Sequence, residues 1–174
     1  MNLPNKLTVG RIIAVPFFVV AYMLEWYIVA FVIFIAASIT DMLDGQIARK
    51  RNLITNFGKF ADPLADKILV YSAFCLLIGE LIPAWMLIVI LTREFVVSGI
   101  RAVAASEGIV IAAGMSGKIK TVLQMIAVPM LLLVPVIIND IFYYGAMGFL
   151  WASLIMTVYS GIEYVVKNRK VLSM

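Results

Sequence analysis

Residues 27–47 read YIVAFVIFIAASITDMLDGQI, beginning at Tyr27 and ending at Ile47. At about 1.5 Å per residue, an α-helix over this stretch spans the roughly 30 Å of a bilayer's hydrocarbon core. Its only charges, Asp41 and Asp44, are confined to one end. Five further apolar runs surround it: Val9–Leu24, Phe60–Ile78, Pro83–Ala104, Ile119–Ile137 and Phe142–Val166. The breaks between them are short and carry helix-ending residues: Glu25-Trp26, Asn52 to Gly58, Gly79 to Pro83, Glu107 to Lys118 and Asn139-Asp140. The expected fold is all-α: one polytopic membrane domain over residues 1–174, with six transmembrane helices in one bundle. The first run lacks a small-residue cleavage site before Glu25, so it is expected to be retained as a helix and not removed as a signal peptide.

The composition agrees. Of the 174 residues, 64% are apolar and 14% charged, whereas about a quarter of the residues in an ordinary soluble domain are charged. The absence of histidine removes Ser-His-Asp and Cys-His catalysis, an imidazole base and a zinc site mixing histidine with carboxylate. Cys75, the single cysteine, excludes an internal disulfide and a multi-cysteine cluster; in its apolar run it is expected to pack. Chemistry is left to carboxylate, guanidinium, ammonium and hydroxyl groups. The ten methionines are expected to be packing and lipid-facing residues.

The basic residues give the orientation. Loops 25–26, 79–82 and 138–141 contain no lysine or arginine, while thirteen of the fourteen basic residues lie at the N-terminus, in the 48–59 and 105–118 loops, in the tail or on helix segments towards that same side. Arg93 alone lies deep in a span. Short cytoplasmic loops retain positive charge, so both termini are expected to be cytoplasmic. Trp26, Tyr27, Trp85, Tyr143 and Tyr144 then belong to an aromatic belt at the opposite interface. Lys167, Arg169 and Lys170 in the tail are expected to meet lipid headgroups.

Charges within spans are costly, roughly 2.5–3.5 kcal/mol each on insertion scales, and they tend to be functional. Four aspartates occupy the facing ends of the second and third spans. Asp41 and Asp44 are three apart, Asp62 and Asp66 four apart, so each pair shares one helix face. Two antiparallel helices can bring the faces together. Four ionised carboxylates near hydrocarbon need bridging cations or protons, and an all-oxygen site suits hard divalent ions such as Mg²⁺ or Mn²⁺. Two such ions would balance four charges and could grip phosphate oxygens. Gly45 and Ala48 leave room for a ligand against the helix, Arg49 offers a fork of donors to a phosphate, and Gly58 opens the third helix one turn before Asp62. The alternatives are interfacial ion pairs with Arg49, Lys59 and Lys67, or the cation path of a divalent-cation transporter. Simple pairing accounts poorly for the small residues at set gaps.

The string Asp41-x2-Asp44-Gly45-x2-Ala48-Arg49-x8-Gly58-x3-Asp62-x3-Asp66 resembles the signature of the CDP-alcohol phosphatidyltransferase family in order and spacing at all eight fixed positions. The resemblance implies transfer of a phosphatidyl group from CDP-diacylglycerol, or a related CDP-linked donor, to an alcohol hydroxyl with release of CMP. It also implies two divalent metal ions held by Asp41, Asp44, Asp62 and Asp66, with Asp66 serving in addition as the base for the attacking hydroxyl. Gly45, Ala48, Arg49 and Gly58 would line the CDP-diacylglycerol site, with Thr55 a further candidate. Related enzymes imply a homodimer in a bacterial inner membrane, its active site facing the cytoplasm. A nucleic-acid partner is not expected.

The acceptor is read from the remaining charges. Arg93 lies about ten residues into the fourth span, near mid-bilayer, where an arginine is seldom only an anchor. Arg93 and Arg101, eight apart, share a face, and Lys118 and Lys120 open the fifth helix. Such a basic cluster suits an anionic acceptor such as glycerol 3-phosphate over a cationic alcohol. The segments Thr92-Arg93-Glu94 through Arg101, Gly117 to Thr121 and Asn5-x2-Thr8-x2-Arg11 resemble the phosphatidylglycerophosphate-forming branch of the family. Asn5 and Thr8 are thereby expected at the donor and Arg11 at the acceptor phosphate. Phosphatidylglycerol, inositol phosphate and serine are the alternative acceptors. Gly117-Lys118 is not a phosphate-binding loop, since Ala112 and Ile119 stand where that motif needs Gly and Ser/Thr.

Overall fold

The computed structural model describes residues 3–50, 56–112 and 114–169, and within them the side chains of 7–40, 64–112 and 114–169. Among the described residues six helices follow one another: α1 (Leu3–Met23), α2 (Tyr27–Lys50), α3 (Asn56–Leu77), α4 (Ala84–Ser106), α5 (Met115–Leu133) and α6 (Asp140–Lys167). No strand occurs among the described residues. The all-helical expectation is met, with shifted ends. α1 and α3 begin at Leu3 and Asn56, before their apolar runs at Val9 and Phe60, because a backbone ladder continues through polar residues as readily as apolar ones. α5 stops at Leu133, short of the expected Ile137. Pro135 has no N–H to donate and disfavours helical geometry at Val134, and the chain turns there through Val134 N to Leu131 O (3.2 Å) and Val136 N to Leu133 O (3.0 Å).

Among the described residues α5 and α6 are long and apolar enough to cross a membrane, and Leu7–Met23 and Tyr27–Thr40 form shorter apolar helices. α5 contains Pro129 and α1 contains Pro16. A helix-interior proline costs about 3 kcal/mol in water, yet is common in membrane helices, where neighbours re-satisfy the freed carbonyl.

The chain forms two compact units. In the first, Met1–Ile78 with Pro129–Asn139, α1 packs on α2 and α3, and α2 on α3. The buried face of α1 carries Thr8, Arg11, Val15, Phe18 and Tyr22 at alternating steps of three and four. α2 contributes Ala30, Phe34 and Ala37, and α3 contributes Ala65, Leu69, Ala73 and Leu77. The Phe18 and Phe34 rings meet at 5.9 Å. Cys75 is exposed on α3, and so does not pack into the unit as expected.

In the second unit, Gly79–Val128 with Asp140–Met174, α4 packs on α6. α6 is inside out by soluble standards. Its buried face includes Ser153, Thr157 and Ser160, each hydroxyl bonded to a carbonyl of its own helix at 2.7–3.2 Å. Its outward face carries Ile155, Ile162 and Val166, each at least 60% exposed. Small hydroxylated residues inside and large apolar ones outside suit a helix whose solvent is lipid. Trp85 and Trp151 pack at 5.8 Å, and Tyr143 lies against Tyr144.

α1 and α4 end in the same hydrogen-bonded turn. Trp26 N reaches Ala21 O and Glu25 N reaches Tyr22 O, both at 2.9 Å; Ile109 N reaches Ala104 O at 2.8 Å and Gly108 N reaches Ala105 O at 3.1 Å. This turn requires a left-handed residue. Gly108 fills it at φ 73°, whereas the first turn uses Glu25 at φ 61°.

Candidate active site

α2 continues as unbroken helix to Lys50, so Asp41, Asp44, Gly45, Ala48 and Arg49 occupy its closing turns. α3 starts at Asn56, which sets Gly58, Asp62 and Asp66 in its opening turns, and the two helices are in contact. Helical periodicity then stacks Asp41 with Asp44 and Asp62 with Asp66. The side chains of Asp41, Asp44, Gly45, Ala48, Arg49, Gly58, Asp62 and Asn5, and Thr55 as a whole, lie outside the described residues. Asp66 is half-buried and engaged by a neighbouring group. Among the described residues no three acidic or other metal-ligating side chains converge. In the same unit Thr8 and Arg11 are fully buried, one turn apart on the face of α1, and both have partners. A guanidinium that is only 2% exposed in an apolar unit needs anionic or strong acceptor groups around it.

The second unit holds the charge cluster of α4 and α5. Arg93 Nη1 donates to Glu94 Oε1 at 2.8 Å, and Lys120 Nζ donates to the same oxygen at 2.6 Å. All three side chains are largely buried, at 13%, 11% and 5% exposure for Arg93, Glu94 and Lys120. Two like charges about 5 Å apart repel by roughly 3 kcal/mol at an effective dielectric of about 20, and an anion in contact with both more than offsets this. Glu94 and Lys120 each engage a further group as well. Arg93 Nε is buried without a hydrogen-bond partner. The arginine also runs between two glycines: a Cβ on Gly117 would stand 3.1 Å from Nη2, and one on Gly161 would stand 3.0 Å from Cγ.

Of the basic residues expected to form one acceptor pocket, Arg93 and Lys120 are thus brought together. Lys118 and Lys120, two positions apart, point to different sides of α5: Lys118 is exposed and Lys120 buried. Arg101 is exposed and donates from Nε to Tyr164 Oη at 3.2 Å, its guanidinium 5.6 Å from that ring's centre. Arg11 belongs to the first unit. At the end of the second unit Ser116 donates to Glu163, which also accepts from Lys167 at 2.5 Å.

Glu94 pairs with the Arg93 beside it and Gly117 lies against the arginine; neither is among the residues expected at the acceptor phosphate. The signal for Glu94 was present. The buried stripe of α4 runs Leu87, Ile90, Glu94, Val97, Ile100 and Ala104, and Glu94 is its one acid. An acid at a core position of an apolar helix requires a cation partner.

The chain belongs to the CDP-alcohol phosphatidyltransferase family, whose model matches residues 1–159 and so takes in the whole aspartate motif. It is similar to the CDP-diacylglycerol–glycerol-3-phosphate 3-phosphatidyltransferase of Bacillus subtilis, with 46% identity over 183 aligned residues that cover 96% of this chain and 95% of the relative. It is also similar to the proteins of the same name from Rickettsia felis (37% identity; 94% and 93% covered) and Haemophilus influenzae (37%; 94% and 91%).

Proposed function

We propose that the protein transfers the phosphatidyl group of CDP-diacylglycerol to glycerol 3-phosphate, giving phosphatidylglycerophosphate and CMP. The observation that carries this reading is the complete aspartate motif in a chain 46% identical, end to end, to a relative named for that reaction. The Arg93–Lys120 cluster supports an acceptor that is itself a phosphate.

In this reading one membrane domain of six spans lies in a bacterial inner membrane, both termini and the active site facing the cytoplasm, and works as a homodimer among membrane lipids. Asp41, Asp44, Asp62 and Asp66 form an all-oxygen donor set suited to two Mg²⁺ or Mn²⁺ ions. Once bound, such ions would neutralise the donor's diphosphate and stabilise the charge on departing CMP. Arg49 donates to the diphosphate, while Gly45, Ala48 and Gly58 leave space for the nucleotide, with Thr55, Asn5 and Thr8 completing the donor site. Arg93 and Lys120 hold the acceptor phosphate, while Lys118, on the exposed side of α5, stands apart from it. Asp66 accepts the proton of the acceptor hydroxyl, whose oxygen forms a bond to the phosphorus carrying diacylglycerol. The bond from that phosphorus to the CMP oxygen breaks, and CMP leaves with the electron pair. No covalent enzyme intermediate is required.

The test is CMP release by the purified protein with CDP-diacylglycerol and Mg²⁺, offering glycerol 3-phosphate, serine, inositol phosphate and phosphatidylglycerol separately. Release with glycerol 3-phosphate alone is expected. Release with a different acceptor would move the assignment within the family, and none with any acceptor, together with metal uptake into liposomes, would overturn it.

A further inference from the structure

We propose that Glu94 and Gly117 are positioning residues that build a single phosphate receptor from Arg93 and Lys120; this rests on the reading that these two cations hold the acceptor phosphate. Glu94 engages Arg93 through Nη1 only, and holds Lys120 on the same carboxylate oxygen. The guanidinium edge formed by Nε and Nη2 faces away from that bond, and Nε on this edge is buried with no partner. An unpaired buried donor is costly, and it is the group that an incoming phosphate oxygen would satisfy. Nε and Nη2 together form the fork that grips two oxygens of one phosphate.

Gly117 controls that edge. Its missing Cβ would stand 3.1 Å from Nη2, so any side chain there would crowd the fork's outer donor. Gly161 acts further back, where a Cβ would meet the arginine stem at Cγ, 3.0 Å away. Three of the helices thus divide the work. α4 supplies the fork and its clamp, α5 supplies the second cation and the open edge, and α6 supplies room for the stem.

Charge alone and positioning make opposite predictions. Removing Glu94's negative charge raises the positive potential of the cluster, which would by itself strengthen anion binding. If Glu94 acts by fixing geometry, Glu94→Gln weakens acceptor binding in spite of the added net positive charge. The experiment is steady-state kinetics on the full-length purified protein, with glycerol 3-phosphate and CDP-diacylglycerol varied in turn, for Glu94→Gln, Glu94→Asp, Gly117→Ala and Arg93→Ala. Expected are a rise of at least tenfold in the KM for glycerol 3-phosphate in Glu94→Gln and Gly117→Ala, a donor KM within about threefold of the parent, and partial rescue by Glu94→Asp. An unchanged or lower acceptor KM in both Glu94→Gln and Gly117→Ala, with Arg93→Ala still raising it, overturns the positioning role and leaves the pocket standing. An unchanged acceptor KM in Arg93→Ala removes the pocket itself. Should Glu94→Gln not fold, Gly117→Ala, which leaves every charge in place, decides alone.

Discussion

The closing turns of α2 with the opening turns of α3, and the Arg93–Glu94–Lys120 cluster of α4 and α5, concentrate charge in an apolar chain in different ways. The fixed positions of the first region's motif carry four acids and one base, Arg49, with Lys50, Lys59 and Lys67 on the same turns. The second has two bases around one acid, at contacts of 2.6–2.8 Å. Four carboxylates on two helix faces next to hydrocarbon call for cations, and a buried guanidinium donor without a partner calls for an anion. The carboxylates of the first region and the unpartnered donor of the second thus suit ligands of opposite sign.

The comparison breaks most visibly in the acidic region. Asp66→Asn removes the proposed base and a proposed metal ligand together, and turnover should fall by at least about a thousandfold while the protein still folds and purifies as the parent does. Activity close to the parent would remove Asp66 as the base. Chelation comes next: EDTA should abolish activity, and added Mg²⁺ or Mn²⁺ should restore it, whereas full activity in EDTA would leave the four acids without their proposed ligand.

A smaller effect separates the two lysines of α5. Lys120→Ala leaves Glu94 and Arg93 without their third member and should raise the acceptor KM by about ten- to a hundredfold. Lys118→Ala, on the exposed side, should change it by no more than about threefold. Equal effects would mean that general positive potential, not the built cluster, binds the acceptor. The smallest effects concern the two helix ends that share one turn. Gly108→Ala should destabilise by about 1 kcal/mol and Glu25→Gly should stabilise by a similar amount, read from unfolding in detergent. Shifts of the same sign would contradict the left-handed geometry at one of them.

Much of this was legible in the sequence. Six apolar runs became six helices, because apolar length and the residues that end helices are local properties. The end of α5 was misjudged by four residues: apolarity continues to Ile137, but Pro135 stops the ladder at Leu133. The aspartate motif was legible because its spacing is a helical spacing. The basic pocket was legible only as a composition. Lys118 and Lys120 look alike in sequence, and the rotation of α5 exposes one and buries the other. Arg101 reads as a ligand partner of Arg93, yet it meets Tyr164, 63 residues away, a pairing that no local pattern announces. Glu94 stands next to Arg93 in sequence as a candidate to pair with it or orient it, and the buried stripe of α4 passes through the acid. Gly117 could be recognised only once Arg93 was seen against it.

The most direct measurement is the stoichiometry of the reaction in one vessel. Purified protein in lipid nanodiscs receives CDP-diacylglycerol and Mg²⁺, and CMP and phosphatidylglycerophosphate are quantified with and without glycerol 3-phosphate. One CMP should appear for each phosphatidylglycerophosphate formed, with neither product when the acceptor or the metal is withheld. CMP released at the same rate without glycerol 3-phosphate, or no phosphatidylglycerophosphate when it is present, would contradict the account.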